Sequence, residues 1–204
     1  LRDRMRVVCG DLTQPDLGLE AGQWKALTRE IHAVFHCAAL VNYSLNYDAL
    51  RPHNVEATRA LLRFAAAGVR KEFHFVSSTL IFGWTSKSLV TEADDNDDMA
   101  NLDFGYAQSK WVSEQLVLAA ERQGLAVRIY RASTISASTG GMGNRDDIVV
   151  RLLAFMINHG LAVDATIQIS FVPADVAADS MVAICRLRHT AGRTLHVTAD
   201  SYYN

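Results

Sequence analysis

Short β-branched and aromatic runs alternate along this chain with longer stretches whose apolar residues recur at helical spacing. Residues 6–9 read as a short strand ending at Gly10-Asp11. A polar loop over 14–19, with Pro15 and Gly18, leads to a helix over 21–30, where Trp24, Leu27 and Ile31 recur three and four apart. Residues 33–36 are the next predicted strand. Residues 46–67 predict one long helix with an apolar stripe through Leu50, Val55, Ala57, Leu61, Leu62, Phe64 and Ala65. Pro52 lies near its start, where proline is tolerated, and Gly68 stops it. A buried strand over 72–77, a second long helix over 105–123 and a strand over 126–130 follow. The Ser/Thr/Gly-rich stretch 133–144 is a loop. A helix over 146–159, a strand over 167–172, a helix from Pro173 to about Cys185 and a short strand over 195–197 complete the pattern.

Strands separated by helices predict an α/β fold, a Rossmann-like doubly wound parallel sheet with right-handed crossovers. Such sheets bind ligands at the carboxyl ends of their strands. The residues that follow each strand are therefore the ones to question.

Composition narrows the function classes. The chain has 204 residues, half of them hydrophobic and 21% charged, enough for one full core. Twelve glycines and three prolines are too few for a linker or a disordered tail. The formal charge of −2 offers no basic excess to neutralise phosphates, so nucleic-acid binding is disfavoured. No apolar run approaches the roughly 18 residues of a membrane span, and no apolar signal core follows Leu1, so a cytoplasmic location is expected. Cys9, Cys37 and Cys185 are far apart, form no C-x-x-C pair and read as small buried residues in a reducing compartment. The seven histidines show no zinc spacing, and no metal site is expected. The acidic tract 94–98 reads as a solvated loop.

Four strand ends carry candidate chemistry. Tyr106 and Lys110 form a Y-x-x-x-K pair on one face of a predicted helix. An ammonium beside a phenol favours the phenolate, which lowers the tyrosine pKa from about 10 and makes it a usable proton donor. The same pair read blandly is a surface tyrosine packed on a lysine stem. Ser77-Ser78-Thr79 follow a strand, where a hydroxyl can bond a carbonyl oxygen or simply cap a turn. A serine hydrolase would want G-x-S-x-G, which does not surround Ser78. Small residues in His36-Cys37-Ala38-Ala39 let backbone approach a flat ligand, with His36 itself read as a core residue. Asp11 could accept from an adenine amino group, or belong to an ordinary turn.

Together these stretches resemble the extended short-chain dehydrogenase/reductases, and within them the thioester reductase domains related to carboxylic acid and fatty acyl-CoA reductases. The resemblance runs over residues 6–197. It rests on Gly10-Asp11-Leu12-Thr13, on 34–39, on Asn54-Val55-Glu56-Ala57-Thr58, on 75–79 and on Gly105-Tyr106-Ala107-Gln108-Ser109-Lys110-Trp111. It implies that Tyr106 protonates the carbonyl oxygen, that Lys110 lowers its pKa and holds the cofactor ribose, and that Ser78 orients the carbonyl, with Thr79 in reserve. Asn54 would hold a water in the proton relay. Asp11 and Leu12 would contact adenine, and Cys37, Ala38, Ala39, Ser77, Arg131 and Ser133 would complete the cofactor site. The implied cofactor is NADPH. The implied partner is a carrier protein with a phosphopantetheine-linked acyl thioester, or acyl-CoA, reduced to an aldehyde or on to the alcohol.

The chain departs from the family pattern at both ends. It shows no G-x-x-G-x-x-G, and residues 6–9 would be the family's third strand. The expected organisation is thus a single, N-terminally truncated Rossmann-like domain with the start of a substrate-binding region around 136–172. Residues 6–9 would then lack a neighbouring strand and 33–36 would form an edge, so the chain alone is expected to bind NADPH poorly. A nucleotide-sugar epimerase or dehydratase of the same fold, or an inactive scaffold, are the rival readings.

Overall fold

A computed structural model describes residues 4–162, 164 and 170–199. Helix α1 spans Ala21–Glu30 and strand β1 Ala33–His36. A helical rod follows in three parts: α2, Tyr47–Arg51; a π-helical segment, Pro52–Glu56; and α3, Ala57–Ala66. Strand β2 is Glu72–Ser78, helix α4 Gly105–Arg122 and strand β3 Val127–Ala132. Strand β4 is Thr134–Ser136, helix α5 Ile148–His159 and strand β5 Phe171–Pro173. Helix α6, Ala174–Cys185, and strand β6, Arg193–Val197, close the order.

The main sheet runs β1-β2-β3-β6, with every described pairing parallel. Its register sets Ala33 beside Glu72, Phe73 beside Val127 and Arg128 beside Arg193. Strands β4 and β5 pair separately, also in parallel.

Alternation along the strands divides the core. Phe73, Phe75, Val127 and Ile129 face α3 and α4, where Ala65 and Val117 meet them. Tyr130, Ala132 and Val197 face α6 through Ala177 and Met181. A third cluster, Leu17, Leu27 and Phe64, fixes α1 against α3, with Trp24 edge-on to Phe64 at 5.1 Å.

Two glycines position the elements that carry the site. Gly68 adopts φ +64, and a Cβ there would press on the Thr28 backbone, so the chain turns tightly from α3 toward β2. A Cβ on Gly105 would land on the Asn46–Tyr47 backbone. The start of α4 therefore sits directly against the start of α2, and Tyr106 is placed by that contact.

Several expectations need correction. Residues 6–9 are not a strand, because a strand needs a ladder partner and none of the described strands lies beside them. The predicted single helix over 46–67 changes register at Pro52, which lacks the N–H that would continue the α-helical ladder. Strand β3 runs on to Ala132, and the predicted loop 133–144 contains β4. Of the predicted strand 167–172, residues 167–169 lie outside the described residues, and 171–172 belong to β5. Helix α5 starts two residues later than predicted, where the Asp147 carboxylate caps it by accepting from the Val149 and Val150 N–H groups. Cys9 and Cys37 are exposed and Cys185 half-buried, so none is the core residue expected. The acidic tract is not simply solvated: Asn96 within it is buried and donates to the Ile81 carbonyl at 2.8 Å.

Candidate active site

The carboxyl ends of β1, β2 and β3 open into one cleft of about 1000 Å³. Cys37 and Ala39 line it from the loop after β1, Ser77, Ser78 and Thr79 from the end of β2, and Ser133 from the loop after β3. Tyr106 and Lys110 reach it from α4, and Tyr43 from the loop before α2. Ile148, Arg151 and Leu152 of α5 form the wall away from the main sheet. A cleft this size is at the upper end of ordinary small-molecule sites.

Tyr106 and Lys110 are one helical turn apart and share this cleft with Ser78. Lys110 is almost fully buried and donates to the Val76 carbonyl at 2.6 Å, with its ammonium 4.2 Å from the Phe75 ring centre. Burial holds its pKa down at about 8, against an opposing pull from Glu114 and Cys37. Tyr106 differs from expectation. Burial, with a smaller contribution from Tyr43, raises its phenol well above the ordinary range, and the lysine charge is not among the causes that move it. The ammonium is committed to β2 rather than to the phenol. Tyr106 is thus a neutral O–H donor over the whole physiological range.

Ser78 caps the short 3₁₀ turn Thr79–Phe82, its Oγ accepting from the Leu80 N–H at 3.2 Å. Its own proton has no acceptor among the described residues, which leaves it available to the cleft. Thr79 donates weakly to the Ala132 carbonyl at 3.4 Å. Ser77 lines the cleft, but its hydroxyl donates to the Glu114 carboxylate behind it. Ser133 pairs with Ser170 at 3.3 Å.

Five of the expected site residues, Arg131, Asn54, Asp11, Leu12 and Ala38, are not part of the cleft wall. Arg131 is absent from the cleft wall. Its guanidinium donates to Glu114 at 3.0 and 2.7 Å, to the Asp94 carbonyl at 2.6 Å and to Asp95 at 3.3 Å, and stacks on Phe82. Arg131 therefore ties the acidic tract to the sheet rather than touching a cofactor. Asn54 is buried in the π segment, donating to Ser109 Oγ at 2.9 Å and to the Leu40 carbonyl at 3.2 Å while accepting from the Leu40 N–H. Both its amide protons are spent within the protein, so it is a strut between α4 and the loop after β1, with no donor left for a relay water. Asp11 and Leu12 lie outside the cleft. The Asp11 carboxylate accepts from the Thr13 N–H and hydroxyl at 2.8 and 2.6 Å, which lowers its pKa, and Leu12 packs on the Leu17 cluster. Ala38 is exposed between Cys37 and Ala39 and does not line the cleft.

Two residues were missed. Tyr43 packs edge-on against Tyr106, ring centres 5.5 Å apart, and forms cleft wall. Glu114 is fully buried behind the cleft. Its signal was present as Y-x-x-x-K-x-x-x-E, a third member on the same helix face.

The described residues fit the ribose-nicotinamide part of a dinucleotide: a cation, a phenol and a small-residue wall converge at strand ends. Among the described residues no helix is long and apolar enough to cross a membrane, and no group of His, Cys, Asp and Glu is placed to hold a metal.

The profile of the family described as Male sterility protein, an NAD-binding family, matches residues 1–181. A linear gramicidin synthase from Brevibacillus parabrevis is 36% identical over 200 residues, covering 95% of this chain but 4% of that protein. The L-2-aminoadipate reductase of Penicillium chrysogenum is 36% identical, in its large subunit, over 194 residues, 88% of this chain and 14% of the relative. The terminal R domain from the myxalamid PKS-NRPS biosynthetic pathway superposes with a TM-score of 0.92 at 34% identity, over 97% of this chain and 51% of that one. A UDP-glucuronic acid 4-epimerase from Bacillus cereus superposes at 0.74 with 18% identity, which shows a shared fold alone. The chain thus spans about half of the R domain and a small part of the two synthetic enzymes. It belongs to the male sterility protein family of NAD-binding domains, on the extended short-chain dehydrogenase/reductase fold, and is homologous to terminal reductase domains of nonribosomal peptide synthetases and to aminoadipate reductase.

Proposed function

We propose that the protein carrying this chain reduces an acyl thioester to an aldehyde, with NADPH as cofactor and a phosphopantetheinylated carrier protein or acyl-CoA as donor. The observation that carries this reading is the convergence of Tyr106, Lys110 and Ser78 on one cleft, in a chain 36% identical to a linear gramicidin synthase subunit and to an L-2-aminoadipate reductase.

A bound nicotinamide would supply the hydride. The residues of this chain supply the rest. Ser78 offers an unspent hydroxyl proton to the thioester carbonyl oxygen, orienting and polarising it. Tyr106, neutral and half-buried in the cleft wall, donates its proton to the same oxygen as negative charge develops there. Lys110, held by the Val76 carbonyl one helical turn from Tyr106, lines the same cleft and places a cation on the side of α4 where the phenolate forms. As the C–S bond of the tetrahedral hemithioacetal breaks, its hydroxyl proton returns to the Tyr106 phenolate, the departing thiolate takes a proton from water, and the aldehyde and free thiol are left. Ile148 and Leu152 of α5, with Ile135, and Leu80 beside Ser78, give the cleft lining apolar surface suited to an acyl chain.

The test uses the full protein, NADPH and a short acyl thioester of phosphopantetheine. NADPH consumption with stoichiometric aldehyde and free thiol supports the reading. Turnover of a UDP-sugar, with none of the thioester, would replace it with the epimerase or dehydratase reading.

A further inference from the structure

Helix α4 is clasped to β2 by two consecutive rungs. Lys110 donates to the Val76 carbonyl, and Ser77, the next residue, donates to the Glu114 carboxylate. Ser78, the residue after that, faces the cleft. Glu114 is fully buried, sits one turn beyond Lys110, and receives two guanidinium N–H bonds from Arg131, the register partner of Ser77. One carboxylate thus holds the ends of β2 and β3 against the helix that carries Tyr106.

From this geometry we propose that Glu114 is a positioning residue for the reduction. It fixes Ser78 relative to Tyr106 and supplies the buried negative charge that faces the Lys110 ammonium. This rests on the thioester-reductase reading of the cleft.

Among the described residues, the titratable groups set around Lys110 are Glu114 and Tyr106, one turn to either side on its own helix, Cys37 in the loop after β1, and His36 at the end of β1; from β2 it meets the Val76 carbonyl and the Phe75 ring. Glu114 does more than Cys37 to favour its protonated form, and burial opposes both. Arg131 is not among the causes that move Lys110. Loss of the Glu114 charge therefore acts directly on the lysine, in the direction of proton loss.

Three variants of the full protein separate this from a merely structural strut: Glu114→Gln, Ser77→Ala, and the double variant Glu114→Gln/Arg131→Gln, which leaves no unpaired buried cation if the single change fails to fold. Expected for Glu114→Gln is a basic limb of kcat displaced downward by about one pH unit, with cofactor KM changed less than about twofold. Ser77→Ala should lower kcat without moving the limb. A parallel readout needs no turnover: pH-dependent amine labelling of Lys110, read by mass spectrometry, should show the same downward displacement in both Glu114 variants. Wild-type limb and wild-type labelling in the Glu114 variants, with only a lower melting temperature, would overturn the proposal. Failure of the wild-type enzyme to reduce any thioester would sink the functional reading instead, while the labelling arm would still decide the charge effect.

Discussion

At the scale of single residues, burial sets the proton chemistry. His36 is buried at the end of β1, with Nε2 bonded to Thr58 Oγ1 at 2.9 Å and Nδ1 without a partner among the described residues. Burial, aided by the Lys110 charge, lowers its pKa from 6.5 to about 3. The unfolded chain therefore binds a proton between these values and the folded chain does not. The sign follows: stability contributed by neutral His36 is present above pH 6.5 and is lost as pH falls toward 3. His36→Gln should flatten the fall of melting temperature over that window, measured by thermal denaturation in a pH series. An unchanged slope would show that other groups carry the acid sensitivity. The identities of Tyr106, Lys110 and Ser78 were legible because helical spacing and strand-end position bring them to one cleft. The expected phenol-lysine coupling was not, because which partner a buried ammonium chooses depends on a carbonyl of another strand, Val76.

At the scale of elements, the sequence reads best where periodicity is local. Helix α1 and strand β1 fall on the predicted residues, because Trp24, Leu27 and Ile31 or Val34 and Phe35 announce their own period. The strand expected at 6–9 has the right residues, but a strand's existence depends on a neighbour that composition alone does not reveal. The family resemblance implies a cofactor-site role for Arg131. Only tertiary register shows it meeting Glu114. The contact of Gly105 with the Asn46–Tyr47 backbone is equally non-local, and it has a consequence. Gly105→Ala should push the start of α4 off α2, costing about 1–3 kcal/mol in chemical denaturation. It should also lower kcat through displacement of Tyr106, with thioester reduction as the readout. Wild-type stability and turnover together would mean that the close approach has no role in placing the tyrosine.

At the scale of the whole molecule, the central strands β2 and β3 are well covered, while α5 is not. Leu152, Leu153, Phe155 and Ile157 are each about half exposed or more, the last at 79%. Exposed apolar surface of that extent promotes association. The 204-residue polypeptide on its own should therefore self-associate, and Leu153→Lys with Ile157→Lys should reduce its mass in light scattering at equal concentration. Neither side chain is buried, so melting temperature should be unchanged; an unaltered mass would show that α5 is not the contact. The alternation of strands and helices gave the architecture at this scale. The stretch 136–172, where a substrate-binding region is expected, contains α5 and borders β4 and β5, and what α5 packs against is not encoded in local pattern.

The central claim is that Tyr106 donates the proton to the carbonyl oxygen, and it is tested most directly by Tyr106→Phe in the full protein. Single-turnover reduction of an acyl thioester should slow by about 10²–10⁴-fold. The NADPH dissociation constant should stay within about threefold, because the ring, its contact with Tyr43 and the Lys110 ammonium all remain. Near-wild-type reduction by the phenylalanine variant, with cofactor binding intact, would contradict the account and move the proton donor elsewhere in the cleft.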